Sequence, residues 1–135
     1  MALVHKHLIV RAEVDVAPFN EQWVIEWLRS IVQKLDMKVC AGPIAKYVDV
    51  PGNKGLTAVV IIETSHIAIH CWDEQDPNLI QFDVYSCGEF DPKVILDELD
   101  QFGVHKVEYN FLDREHGLVE LTSPAAAPYG LMELI

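Results

Sequence analysis

Apolar residues fall along this chain in short runs, and their spacing switches between a period of two and a helical period. From His5 to Val16 the positions alternate. Leu8, Val10, Ala12, Val14 and Val16 face one way, and His7, Ile9, Arg11, Glu13 and Asp15 mostly the other, which predicts a strand with one face on a core. Pro18-Phe19-Asn20 ends it, and Asn20 is placed to cap a helix with Glu21 in its first turn. From Glu21 to Leu35 the residues Val24, Ile25, Leu28, Ile31, Val32 and Leu35 follow helical spacing, and Trp23 and Trp27 form a packing pair four apart. Met37 to Cys40 starts a strand that Ala41-Gly42-Pro43 interrupts and Ile44 to Val50 resumes. Pro51-Gly52-Asn53-Lys54-Gly55 is a turn, and its glycines lack the spacing of a phosphate-binding loop. Leu56 to Ile62 is a near-continuous apolar strand, expected at the centre of a sheet. His66 to Trp72 and Leu79 to Ser86 are further strands. Asp91-Pro92 opens a second helix with Ile95, Leu96, Leu99 and Phe102 on its apolar face, and Gly103 stops it. Val104 to Leu112 alternates again, with Val107, Tyr109 and Phe111 inward. Past about residue 118 the pattern weakens, and Ser123 to Gly130 reads as an extended or loosely docked tail.

Strands that follow one another without intervening helices predict an antiparallel sheet. The fold expected is α+β, a two-layer sandwich with two main helices packed on one face. With 135 residues, no linker and no repeat, it is one domain, 1–135, able to bury a core without metals or disulfides. No apolar run approaches the length of about eighteen residues that spans a membrane, and no signal peptide is evident. The odd set Cys40, Cys71 and Cys87 reads as reduced thiols and a cytoplasmic setting. The net charge of −11 is uneven: residues 1–64 carry seven basic and seven acidic side chains, residues 65–135 three and fourteen. That field disfavours nucleic acid and anionic membranes and suits a cationic ligand, although acidic residues also simply keep a surface soluble.

One break in the pattern carries chemistry. The run ending at Ile62 stops at Glu63-Thr64-Ser65, and the next strand sets His66, His70 and Trp72 on one face against Ile67, Ile69 and Cys71 on the other. A third strand ends Asp83-Val84-Tyr85-Ser86-Cys87-Gly88. A serine at a sharp break, a histidine and a cysteine thus sit on or beside neighbouring strands, where they could converge. Singly, each has an ordinary reading: a turn serine, a core histidine, a small buried thiol. No metal site is expected. His66 and His70 share a face but stand roughly 13 Å apart at strand rise, and His5 and His7 lack an evident third ligand.

Jointly these residues resemble a known family. Ser65-His66-Ile67-Ala68-Ile69-His70-Cys71-Trp72-Asp73-Glu74, followed by Asp83-Val84-Tyr85-Ser86-Cys87-Gly88-Glu89, is similar to the signature of the short prokaryotic S-adenosylmethionine decarboxylases. The resemblance covers about residues 5 to 112. It implies a proenzyme that cuts itself between Thr64 and Ser65 and turns Ser65 into a pyruvoyl cofactor, which takes the substrate amine as a Schiff base. It implies that His70 takes the proton in the elimination step, that Thr57 supports processing, and that Cys87 protonates the carbon left when carbon dioxide departs. An imidazole near neutral pKa and a tunable thiol suit those tasks. Tyr47 would stack on the adenine and Glu74 would hold the nucleoside of S-adenosylmethionine. The family implies a homodimer of cleaved protomers with sites near the interface, and a place in polyamine (spermidine) biosynthesis. Thr64, Cys71 and Asp73 stand where the family has glutamate, threonine and proline. Those departures leave ornithine or arginine open as substrates, and leave open a non-processing homologue that binds a ligand or regulates a partner.

Overall fold

The structure, a computed structural model, describes residues 3–121. Its elements run β1 (Lys6–Val14), α1 (Glu21–Lys34), β2 (Val39–Val48), β3 (Gly55–Ile62), β4 (Ser65–Trp72), β5 (Asn78–Ser86), α2 (Pro92–Glu98) with a 3₁₀ turn Leu99–Phe102, β6 (Val104–Asp113) and β7 (Val119–Glu120). The strands form one antiparallel sheet in the order β2-β3-β4-β5-β1-β6-β7. β2 to β5 make a plain meander. β1 then lies between β5 and β6, so α1 and α2 must each carry the chain across the sheet, and both lie against its inner face. This is the α+β sandwich that the alternation predicts.

The caps are where the sequence puts them. The Asn20 side chain accepts from the Trp23 amide and the Asp91 side chain from the Lys93 amide, with Pro92 opening α2; each such cap stabilises by about 1 kcal/mol. Gly103, at φ +74, ends the 3₁₀ turn in the left-handed region. The inner sheet face, through residues such as Leu8, Val10, Ile67, Ile69 and Phe82, closes one core with Val24, Trp27, Leu28 and Ile31 of α1 and Ile95, Leu96 and Leu99 after β5. Trp27 fixes the layers. Its ring meets Phe82 and Phe102 edge-on at 5.7 and 5.3 Å, and its indole N–H donates to Glu98 Oε1 at 2.7 Å.

Two expectations need correction. β3 is not central but second from the sheet edge, and its residues alternate between buried and exposed. Val59 and Ile61 are 39% and 51% exposed on the outer face, so the near-continuous apolar run here marks a bare face rather than a doubly covered strand. The Ala41–Pro43 interruption does not split β2. It becomes an irregularity inside one strand, with the register shifting between Ala41 and Ile44 where Gly42 takes φ +87. Part of the weak C-terminal pattern is also structured, since Val119 and Glu120 pair with Asp113 and Leu112. The Ser123–Gly130 stretch lies outside the described residues. Among the described residues no helix is long and apolar enough to cross a membrane.

Candidate functional site

β3 and β4 are joined by the tightest hairpin available. Ile62 pairs with Ser65, leaving only Glu63 and Thr64 in the loop. Two-residue loops normally carry glycine or asparagine at the positions that need positive φ. Here neither loop residue is of that kind, and the unfavourable geometry falls on Ser65, at φ +144. A non-glycine residue held there stores strain on the order of 1–3 kcal/mol.

The surroundings of the tip hold it in place. The Cys87 amide donates to the Thr64 carbonyl oxygen at 2.8 Å, and the Val4 amide donates to the Cys87 carbonyl at 2.9 Å. The Glu63 amide donates to the Lys38 carbonyl at 3.0 Å. Ser86, fully buried and paired with Ser65 across the strands, accepts from the Gly88 amide at 2.9 Å. The chain after Cys87 lies so close that a Cβ on Gly88 would meet Thr64 Cγ2 at 3.2 Å. Thr64 Oγ1 is buried without a hydrogen-bond partner. An N–H therefore polarises the carbonyl immediately before a strained serine. That arrangement favours attack by a neighbouring hydroxyl on the carbonyl carbon, because the donor is already aimed at the oxygen that would gain charge.

The other half of the predicted set gathers at the far end of β4. His70 Nδ1 lies 3.2 Å from Thr57 Oγ1 on β3, its pairing partner, and the His70 ring stacks on Trp72 at 6.2 Å between centroids. Trp72 donates its indole N–H to Asn53 Oδ1 at 2.9 Å, so the Pro51–Gly55 turn is tied down to β4. Glu74 accepts the amides of Gly52 and Lys54 at 3.1 Å each, and these donors, Lys54 first, hold its carboxyl below the usual range. The Tyr47 hydroxyl donates to Asp73 at 2.8 Å, which pushes the phenol up to about 12. Cys71 faces the core, and burial, helped by Asp73, pushes its thiol up to about 12, so it is no nucleophile near neutral pH.

The structure thus brings together Thr64, Ser65 and Cys87 at one end, and pairs Thr57 with His70 on the outer face at the other; Tyr47, opposite the buried Leu56, lies on the inner face of that end, and Glu74 holds the turn beside it. It does not bring His70 to Ser65. Five residues of extended strand separate them, roughly 17 Å at strand rise, so within one chain Ser65 and Cys87 meet without His70. Sequence reading missed the polarising role of the Cys87 amide and the buried Ser86. Both depend on β4 and β5 lying in register, and the sequence signal for that register was the matching polar ends of the two strands.

By sequence comparison the chain is similar to decarboxylase proenzymes. Within that class the chain belongs to the S-adenosylmethionine decarboxylase family, whose sequence model matches residues 12–115. It is 32% identical over 83 residues to the S-adenosylmethionine decarboxylase proenzyme of Clostridium botulinum, covering 61% of this chain and 66% of that one. It is 39% identical over 67 residues to the arginine decarboxylase proenzyme of Aeropyrum pernix, covering 44% and 49%. The chain therefore spans between about half and just under two thirds of these curated relatives. The fold is similar to the crystal structure of the adenosylmethionine decarboxylase from Aquifex aeolicus, with a TM-score of 0.62 and 26% identity over 91% of this chain and 98% of that one.

Proposed function

We propose that this chain is a self-processing, pyruvoyl-dependent decarboxylase of S-adenosylmethionine, acting in polyamine (spermidine) biosynthesis. The observation that carries the reading is the strained Ser65 beside a Thr64 carbonyl already held by the Cys87 amide. The Ser65 hydroxyl attacks the Thr64 carbonyl carbon, and the Cys87 N–H stabilises the oxyanion. Breaking the C–N bond moves the acyl group to oxygen and relieves the strain at Ser65. A base then takes the Ser65 α-proton, and Thr64 leaves as a carboxylate. Hydrolysis of the resulting dehydroalanine releases ammonia and leaves a pyruvoyl group at the start of the fragment 65–135, with 1–64 as the other fragment. Once formed, that group supplies an electron sink for decarboxylation of a bound amino acid. Cys87, beside the junction, holds the proton that the substrate carbon takes up.

The base is His70, oriented by Thr57, and it comes from a second copy of the chain. Two observations support a homodimer of cleaved protomers. His70 lies too far along β4 to reach its own Ser65. The outer sheet face also leaves Ile9, Val59 and Ile61 exposed, as a face does when it awaits a partner. The nucleoside then lies with Tyr47 and Glu74 at the His70 end of one copy, and the amino-acid end of the substrate lies at Ser65 and Cys87 of the other. The three unpaired cysteines fit a reducing, cytoplasmic setting.

The Aeropyrum relative motivates a second substrate, arginine, and Asp73 beside Tyr47 offers a carboxylate to a cationic side chain; ornithine belongs to the same reading. Thr64, in the place of the family's glutamate, motivates a third reading, a chain that binds or regulates without cutting itself. Intact mass under denaturing conditions separates them first. Two fragments split between Thr64 and Ser65, the larger carrying a pyruvoyl in place of serine, support the proposal, and carbon dioxide release from each amino acid then assigns the substrate. A single uncut chain after long incubation overturns it in favour of the third reading.

A further inference from the structure

We propose that His7, His66 and Asp83 form a binding site for a divalent transition-metal ion of the zinc kind on the outer face of the sheet. The three residues come from three adjacent strands. Tyr85 on β5 pairs with His7 on β1 and with His66 on β4, and Asp83 lies two positions before Tyr85 on the same face. Both imidazoles therefore lean over one carboxylate. Asp83 Oδ1 is 3.1 Å from His66 Nε2 and 3.6 Å from His7 Nε2, and one donor atom from each residue lies within 4.8 Å of the others. Around a tetrahedral zinc ion with bonds of about 2.0–2.1 Å, donors stand about 3.3 Å apart. The two distances to Asp83 bracket that value, and the two imidazoles have only to turn about their side-chain bonds to share an ion. Two imidazole nitrogens and a carboxylate oxygen suit zinc and leave a fourth position for a further ligand. The donors are also held: the two imidazoles meet edge to face at 6.2 Å, and each tilts against Tyr85, at 5.4 and 6.0 Å.

A second observation points to the same ligand. His7 Nε2 is buried and has no hydrogen-bond partner. The other nitrogen of that ring, Nδ1, lies 3.1 Å from Arg114, whose guanidinium can only donate. Nδ1 therefore accepts, and Nε2 carries a proton aimed at Asp83 from beyond hydrogen-bond reach. A buried donor left so is costly, and a metal ion taking the Nε2 lone pair removes the defect. The proton must then move to Nδ1 and Arg114 must let go. Arg114 is exposed, with its guanidinium 4.3 Å above the Tyr85 ring, so it is free to leave. It acts as the metal's competitor, by charge and by hydrogen bond. Ser65 is the neighbour of His66, but the site uses none of the groups assigned to cleavage or decarboxylation.

The test is metal uptake by the full chain after stripping with chelator, using Zn²⁺ in competition with a chromophoric chelator and Co²⁺ by visible absorption. It is repeated on the Ser65→Ala chain so that the result does not hang on processing. We expect one equivalent per chain and the intense bands of four-coordinate Co²⁺. His66→Gln and Asp83→Asn should each weaken binding at least about tenfold, and Arg114→Met should tighten it several-fold. Absent stoichiometric uptake overturns the site. So does uptake that survives both His66→Gln and Asp83→Asn, which would assign the metal to surface histidines such as His105 or His116. If those two variants do not fold, Arg114→Met decides alone: tighter binding supports the site, and unchanged or weaker binding overturns it.

Discussion

The two ends of β4 are built on opposite plans. At the Ser65 end the chain turns in the fewest possible residues, carries its strain on a serine, and leaves the Thr64 hydroxyl buried without a partner. At the Trp72 end every polar group of note is satisfied. Asn53 takes the Trp72 indole N–H, Glu74 takes two amides of the turn, Asp73 takes the Tyr47 hydroxyl, and Thr57 meets His70. One end is a loaded spot suited to breaking its own backbone. The other is a rigid frame suited to holding an imidazole and a ligand. Under the proposed function, reaction and recognition are separated along one strand, and a second copy reunites them.

The sharpest way to break that comparison is complementation. Ser65→Ala alone should be uncut and inactive, and His70→Ala alone should fail to release fragments. Co-expressed in equal amounts, they should form mixed dimers in which one site has Ser65 from the His70→Ala chain and His70 from the Ser65→Ala chain. Activity should return to roughly a quarter of wild type, since half the two-fold dimers are mixed and each holds one intact site. Intact mass should find only the His70→Ala chain cut. Efficient cutting of the His70→Ala chain by itself would remove His70 from the mechanism, and no cutting in the mixture would remove the shared site.

How much of this was legible in the sequence differs between the two ends. The break at Glu63 was visible because an apolar run ends there abruptly, and the two faces of β4 followed from alternation alone. The caps at Asn20 and Asp91 were legible because they act within a few residues of themselves. The separation of Ser65 from His70 was also within reach, because the strand-rise argument that rejects a metal on His66 and His70 applies equally to residues 65 and 70. The joint motif drew the three residues together where the geometry of one chain keeps His70 apart from Ser65 and Cys87. β3 misled for a physical reason: Val59 and Ile61 are apolar on a face left bare within one chain, and a run written for a partner looks the same as one written for a core. The insertion of β1 between β5 and β6, and with it the meeting of His7, His66 and Asp83, is a product of long-range register that no local pattern encodes.

The rigid end can be probed next. Gly55 passes so close to β4 that a Cβ there would lie 1.8 Å from the Cys71 carbonyl oxygen and 2.9 Å from the Trp72 Cα. Both are backbone, so no side chain can swing away, and the strand ends that carry Thr57 and His70 must part. Gly55→Ala should cost about 3 kcal/mol or more, lowering Tm by about 10 °C or more for a domain of this size. An unchanged melting temperature would mean that the β3–β4 approach yields easily, and the framed end would lose its claim to rigidity.

Glu74→Gln asks the same question more gently and through pH. The carboxylate is exposed, but the Lys54 and Gly52 amides favour its charged form and hold its pKa below the unfolded value. A depressed carboxyl contributes stability that is present above its unfolded pKa of about 4.3 and is lost as pH falls through the lower folded value. Near pH 7 the variant should therefore melt slightly below wild type, by roughly a degree or two. The gap should close under acid conditions, once the carboxyl is protonated in both states. Glutamine keeps an oxygen that can accept one amide, so the turn should loosen without opening. A gap that stays constant from neutral to acid pH would mean that shape rather than charge holds the turn at the His70 end. That outcome would also make the Glu74 charge incidental to the fold, and leave any role for it to ligand binding alone.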